Sequence, residues 1–135
     1  MKTITQWENR MAFTSTFDGH VVELNGETGS DGKRLGYSPK ALLLSGLAGC
    51  SGIDVVEMLQ KMRVPFTKLE IVTESEQTED HPKVFKDIEI EYRIDASPEY
   101  EDKVKRAVDL SIEKYCGVAA MLKKNSTIIP KITLI

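Results

Sequence analysis

The sequence predicts an α+β fold, and three of its segments support that prediction. In "VFKDIEIEYRI" (84–94) apolar and charged residues alternate strictly, which is typical of a strand with one solvated face. One long apolar segment begins at Ser38-Pro39 and a second helical pattern begins at Ser97-Pro98, and serine before proline is a helix-start signal. Because helices do not alternate regularly with buried strands, a parallel βαβ array is excluded.

The N-terminal part of the chain is predicted to be β-structure. Residues 4–17, "ITQWENRMAFTSTF", indicate one or two strands, and "FDGH" supplies a turn. The segment 20–26 alternates, with Val22 and Leu24 on one face. A glycine-rich loop follows at 25–37, and its spacing matches no phosphate-binding motif.

The long apolar segment is predicted to be a helix from Pro39 to about Arg63. Ser38 is the expected N-cap, and Pro65 lies just beyond the expected end. The segment is apolar on most of its circumference up to Ile53, and a helix that is hydrophobic all round is a buried one. We therefore expect this helix to lie in the core.

Three glycines, Gly46, Gly49 and Gly52, flank the single cysteine of this helix, Cys50. A glycine in a helix interior costs about 1 kcal/mol relative to alanine. We expect these glycines to let another backbone come close, and we expect that backbone to carry the second sulfur, Cys116.

The second half of the chain is predicted to hold two antiparallel strands, a helix in two pieces and a last strand. Residues 66–77 and 84–94 form the strands, joined by the polar turn "TEDHPK", and the inward side chains of the second strand are Ile88, Ile90, Tyr92 and Ile94. The helix after Ser97-Pro98 has one apolar face, made by Val104, Ala107, Val108, Ser111, Ile112 and Tyr115. The pair Cys116-Gly117 interrupts it, "VAAMLKK" is a second short helical piece, and "KITLI" ends the chain as a strand.

Length and composition describe one domain, 1–135, with 41% hydrophobic residues and a net charge of −3. This charge gives no support for binding nucleic acid, which requires a basic face. The apolar stretch 41–59 contains Asp54 and Glu57, so we expect a core helix and no membrane association. The N-terminus lacks a signal-peptide pattern, and with only two cysteines the expected location is the reducing cytoplasm.

The two cysteines, Cys50 and Cys116, are the candidate catalytic residues. Cys116 precedes a helical piece whose unpaired N–H groups would stabilise a thiolate, the reactive form of the side chain. The alternative is that each thiol is a small buried hydrophobe. A zinc site with His20 and His81 lacks any paired-ligand motif, and a Cys/His hydrolase is a further alternative, although no pattern places either histidine beside a thiol.

The segments "SPKALLLSGLAGCSGIDVVEMLQKMR" and "AVDLSIEKYCGVAAMLKK" resemble the two cysteine-bearing signatures of the OsmC/Ohr family, the osmotically inducible and organic-hydroperoxide-resistance proteins. "HPKVFKDIEIEYRI" and the terminal strand also fit that family. The residues "GCSGIDVV" and "EKYC" are most similar to the YhfA-like branch of the family.

The resemblance implies an OsmC-like α+β fold in which antiparallel sheets of two subunits wrap around long central helices in an intertwined homodimer. It implies that Cys50 is the peroxidatic cysteine and Cys116 the resolving one. The implied reaction is the reduction of organic hydroperoxides through a sulfenic acid and a disulfide, in defence against oxidative stress. A dithiol, lipoyl-type in the family, regenerates the thiols, and neither a metal nor an organic cofactor is required.

Two acidic residues near the cysteines are candidates for supporting roles. Asp54 lies one turn after Cys50, where a carboxylate would raise the pKa of the thiol, and its alternative role is that of a buried, hydrogen-bonded carboxylate. Glu113 lies in the turn before Cys116, and it could equally be a surface acid. Leu47, Ile53 and Met58 would favour a hydrophobic peroxide, or they are core residues.

The family's peroxidases pair an arginine with a glutamate just after the proline that opens the long helix. Here Lys40 follows Pro39, and Arg10 and Arg34 are the candidates for the arginine by rough position. A function of another class is the alternative: a non-catalytic, redox-sensing or small-ligand-binding dimer on the same scaffold.

Overall fold

The computed structural model describes all 135 residues, and the α+β class is confirmed. The strands are β1 (Ile4–Asn9), β2 (Ala12–Phe17), β3 (His20–Asn25), β4 (Leu69–Gln77), β5 (Phe85–Ile94) and β6 (Ile128–Leu134). The helices are α1 (Pro39–Lys61), α2 (Glu101–Leu110) and α3 (Gly117–Leu122). A 3-10 turn (Pro98–Tyr100) precedes α2, and a π turn (Ser111–Tyr115) follows it.

The chain divides into two compact units, Met1–Leu43 and Leu44–Ile135. In the first, β1, β2 and β3 form an antiparallel sheet in chain order. Asp18 and Gly19 both have positive φ in the two-residue turn between β2 and β3, which suits the right-handed twist of a hairpin. The sheet exposes large apolar side chains: Ile4, Trp7, Phe13, Phe17 and Val21.

In the second unit the sheet order is β4–β5–β6, with β4 antiparallel and β6 parallel to β5. The predicted alternation of β5 is confirmed, since its inward side chains are fully buried: Ile88, Ile90, Tyr92 and Ile94. One stripe of α1 joins the same core at every fourth residue, Leu47, Ser51, Val55 and Leu59. This spacing keeps one helix face on the core.

The start of α1 is as predicted, with Pro39 as its first residue and the Ser38 hydroxyl accepting the N–H of Ala41 at 3.4 Å. The prediction that α1 is buried all round is wrong. Ile53 is 71% exposed and Leu43 is also exposed, because only one side of the helix packs on the core. By length and composition alone α1 could cross a membrane, and a core helix passes the same test.

The apolar face of α2 is buried as predicted, but Tyr115 is 55% exposed, so its predicted place on that face is wrong. The cause is the π turn, in which the N–H of Cys116 donates to the carbonyl of Ser111, five residues earlier, at 2.8 Å. The wider turn rotates the residues that follow Ser111 away from their α-helical positions. Tyr115 leaves the core in consequence, and Cys116 enters it.

Asp95→Asn is expected to lower the melting temperature at neutral pH. It is also expected to reduce the amount by which the melting temperature drops when the pH is made acidic. The Asp95 carboxylate, just after β5, accepts hydrogen bonds from the hydroxyl of Thr67, from the Lys68 N–H at 2.9 Å and from the Thr67 N–H at 2.8 Å. These bonds lower the pKa of Asp95 from 3.8 to about 2. A carboxylate with a lowered folded-state pKa stabilises the fold above its unfolded pKa and loses that effect as pH falls through the folded one, here between about pH 4 and pH 2.

Thermal unfolding followed by circular dichroism across that pH range measures the effect. Asp80→Asn, in the exposed turn between β4 and β5, is the control. A variant at position 95 that is as stable and as acid-sensitive as the wild type would show that these hydrogen bonds contribute nothing.

Candidate redox site

The two cysteines are 66 positions apart in sequence, and the fold brings their thiols together. Cys50 lies mid-way along α1, half-buried beside the buried stripe. Cys116 is the N-cap residue of α3, and only 3% of its surface is exposed. Both thiols are free, and Cys50 lies near enough to Cys116 to raise the pKa of its thiol.

Burial raises the pKa of the Cys116 thiol to about 11. The Ala119 N–H donates to its sulfur at 3.3 Å and acts in the opposite direction, while Cys50 and the charge of Asp54 raise the pKa further. The expectation that the helix start would hold Cys116 as a thiolate is therefore wrong, because one N–H of a six-residue helix does not offset burial. At neutral pH Cys116 keeps its proton and can donate it to the sulfur of Cys50.

The role predicted for the helix glycines is also wrong. A Cβ at Gly46 or Gly49 would meet nothing within 4 Å, so no backbone approaches them in this chain. A Cβ at Gly52 would lie 2.9 Å from Cδ1 of Ile71, so at this position glycine makes room for a side chain of β4.

A buried hydroxyl cluster lies next to the thiols, and the sequence predictions did not include it in the site. Ser111 Oγ lies 2.8 Å from Ser51 Oγ and 3.0 Å from Asp54 Oδ2, and Ser51 Oγ lies 2.5 Å from the hydroxyl of Tyr92. Ser51, Ser111 and Tyr92 have no exposed surface. Burial, above all, raises the pKa of Tyr92 to about 12, so its phenol stays protonated. The signal in the sequence was a serine on each of two otherwise apolar helix faces.

The supporting residues of the sequence analysis fall in three different settings. Asp54 accepts a hydrogen bond from Ser111 and its charge acts on Cys116. Glu113 is exposed and its charge acts on Lys105. Arg10, in the first unit, donates hydrogen bonds to both carboxylate oxygens of Glu27 at 2.8 to 3.2 Å.

The remaining candidates lie outside this cluster. Arg34 is exposed, and its backbone forms an isolated bridge with Thr28. His20 and His81 are exposed. No group of three or more His, Cys, Asp or Glu side chains in the chain is close enough to hold a metal ion.

A groove of about 680 Å³ between α1 and α2 reaches Asp54. Met58, Met62 and Leu110 give it an apolar lining, and the cations of Lys103 and Arg106 lie along it. Three residues were expected to favour an apolar substrate, and of these only Met58 lines this groove. Leu47 is fully buried in the core and Ile53 is exposed.

Comparison with known proteins gives the chain its family. A family model described as OsmC-like protein matches residues 29–131. Protein YhfA of Escherichia coli K12 is 35% identical over 125 residues, which cover 92% of this chain and 90% of YhfA. A hypothetical protein from Aquifex aeolicus VF5 has 27% identity and a TM-score of 0.86, covering 99% and 95% of the two chains. The organic hydroperoxide resistance protein OhrB of Bacillus subtilis, at 17% identity and 98% and 96% coverage, shares the fold with a TM-score of 0.66. The chain belongs to the OsmC-like protein family.

Proposed function

We propose that this protein reduces organic hydroperoxides, with Cys50 as the attacking thiol and Cys116 as the resolving thiol. The observation that carries the proposal is the proximity of two free thiols that lie in unequal environments. Cys116 is buried, with a pKa raised to about 11, so it holds a proton while the half-buried Cys50 meets the substrate. The thiolate is the form of cysteine that attacks an O–O bond.

The cycle has three balanced steps. The Cys50 thiolate attacks the outer oxygen of the hydroperoxide, the O–O bond breaks, and the alkoxide takes up a proton and leaves as an alcohol. The thiol of Cys116 then condenses with the sulfenic acid of Cys50, forming a disulfide and releasing water. A dithiol, lipoyl-type by family resemblance, returns two electrons and two protons to the disulfide and becomes a disulfide itself.

Two further observations support this assignment. The groove that reaches Asp54 has Met58, Met62 and Leu110 alongside its charged lining residues, and this apolar part suits an organic hydroperoxide better than hydrogen peroxide. The fold is shared with OhrB of Bacillus subtilis, which is named for organic hydroperoxide resistance.

We assign a supporting role to Asp54, which accepts a hydrogen bond from Ser111 and whose charge acts on Cys116. Glu113, which is exposed, and Arg10, which is bound to Glu27, stay candidates from the sequence. No cofactor enters the cycle.

We propose that the working unit is a homodimer of one-domain chains, 1–135, in the reducing cytoplasm. Each chain exposes apolar side chains on the β1–β2–β3 sheet and along α1, and a surface of this kind marks an interface. Beside the exposed Ile53, Gly46 and Gly49 leave the outer face of α1 open to close approach. A second copy of the chain is the occupant that the family resemblance implies.

Turnover with the purified wild-type protein tests the proposal. Cumene hydroperoxide and dihydrolipoamide are supplied in excess, and peroxide loss is counted per chain. We expect many equivalents of cumene hydroperoxide to be reduced per chain, and slower loss of hydrogen peroxide under the same conditions. If the reaction stops after one equivalent, with a Cys50–Cys116 disulfide that the dithiol does not reduce, the protein is a redox sensor and the proposal fails.

A further inference from the structure

One buried side chain, Ser111, connects the two segments that carry the sulfurs. Its hydroxyl reaches Ser51 Oγ at 2.8 Å, and Ser51 is the residue after Cys50. Its carbonyl accepts the N–H of Cys116 at 2.8 Å. Ser111 thus bonds through its side chain to the side chain that follows Cys50 and through its carbonyl to the backbone of Cys116, although Ser51 and Ser111 are 60 positions apart.

The hydroxyls around Ser111 form one connected hydrogen-bonded cluster. Each hydroxyl carries one hydrogen, and an ionised carboxylate only accepts. Ser111 Oγ lies within hydrogen-bond distance of both Ser51 Oγ and the carboxylate of Asp54, and Ser51 Oγ shares a further hydrogen bond with the hydroxyl of Tyr92. No buried side-chain polar atom of the chain lacks a partner, so the cluster is satisfied throughout. A buried network of this kind fixes one geometry, since any shift leaves a group unpaired.

The π turn that begins at Ser111 is held at its other end as well. The ammonium of Lys123 donates to the carbonyl of Ile112 at 2.5 Å, and this carbonyl lies inside the turn. The turn is thus anchored at Ser111 to α1 and at Ile112 to the residue after α3. A bulge in a helix moves the side chain that follows it, and here that side chain is Cys116.

We propose that Ser111 is a positioning residue that holds Cys116 within bonding reach of Cys50 for disulfide formation. Its part in catalysis rests on the proposed function. Its effect on the pair of sulfurs does not, because diamide converts two neighbouring thiols to a disulfide by taking up their two electrons and two protons, with no peroxide present.

The test compares Ser111→Ala with the wild type in two measurements. The first is the rate at which diamide closes the Cys50–Cys116 disulfide, followed by intact mass after acid quench and alkylation. The second is the rate at which iodoacetamide alkylates Cys50, which reports one thiol by itself. Ser126→Ala is the matched control: Ser126 is also buried, with its hydroxyl on the carbonyl of Phe85 at 3.3 Å.

We expect Ser111→Ala to close the disulfide about tenfold more slowly or worse, because small misplacements of reacting atoms cost rate steeply. Alkylation of Cys50 stays at the wild-type rate, and Ser126→Ala behaves like the wild type in both measurements. A merely structural loss would slow or speed both reactions together. Ser51→Ala removes the same hydrogen bond from the α1 side and is expected to show the same split, so it serves if Ser111→Ala folds poorly.

The inference is overturned if folded Ser111→Ala or Ser51→Ala closes the disulfide at the wild-type rate. Its failure can be told apart from failure of the proposed function. A wild type that does not turn over peroxide, together with slow disulfide closure in Ser111→Ala, rejects the peroxidase and keeps the positioning role. A wild type that turns over peroxide, together with disulfide closure at the wild-type rate in Ser111→Ala, keeps the peroxidase and rejects the positioning role.

Discussion

Cys50→Ser is expected to reduce hydroperoxide turnover by about three orders of magnitude or more, to the uncatalysed background. A serine hydroxyl is not ionised near neutral pH and cannot become a sulfenic acid. Cys116 does not replace the lost thiolate, since it is 3% exposed and its pKa is raised to about 11. The initial rate of cumene hydroperoxide loss per chain, with dihydrolipoamide in excess, measures this effect.

Cys116→Ser is the control that separates attack from resolution. This variant is expected to consume the first equivalent of peroxide at close to the wild-type rate and then to stall. Its Cys50 sulfenic acid, with no partner thiol, goes on to the sulfinic acid under excess peroxide, which intact mass detects. Turnover at the wild-type rate by Cys50→Ser would show that Cys50 is not the attacking thiol. Multiple turnover at the wild-type rate by Cys116→Ser with the dithiol would show that Cys116 is not needed as the resolving thiol.

The local patterns of the sequence were enough for much of the fold. The alternation in 84–94 gave the inward face of β5 because side chains of a strand point to opposite faces at every step. Ser38 and Pro39 marked the start of α1, and Cys116-Gly117 marked the break before α3. Each of these features depends on residues close together along the chain.

The features that the sequence did not predict depend on contacts between distant segments. No residue type in the sequence predicts a π turn, so Tyr115 was predicted to lie on the apolar face of α2, whereas it is exposed. The parallel position of β6 beside β5 is set by the path of the chain after α3. The contact of Ser51 with Ser111 joins positions 60 apart, and the pKa of Cys116 follows from burial that only the folded chain defines.

The exposed face of α1 is a further feature that the sequence alone did not predict. Composition marks the helix as apolar nearly all round, but it does not say whether a given face meets the same chain or a second copy. In the isolated chain Leu47 and Val55 are fully buried, while Ile53, on the same helix, is 71% exposed. A large apolar side chain left this open beside two unobstructed glycines is the arrangement expected of a surface that a partner covers.

Ile53→Glu is accordingly expected to dissociate the proposed dimer. Burying a carboxylate without a partner costs several kcal/mol, so the dissociation constant should rise by about a hundredfold or more. Sedimentation velocity over a dilution series measures this constant. Trp7, the single tryptophan, is 65% exposed in the chain, and its emission should shift to longer wavelength on dilution if dimerisation covers the β1–β2–β3 sheet.

Met121→Glu is the matched control for that experiment, since Met121 lies on α3 and is 67% exposed, close to the value for Ile53. Both substitutions put a charge on a surface that the isolated chain leaves in water, so neither should unfold a monomer. A dimer lost only with Ile53→Glu would locate the interface on α1. A wild type that sediments as a monomer would overturn the proposed homodimer. An Ile53→Glu dimer as tight as the wild type would mean that the two copies meet on a surface other than the exposed face of α1.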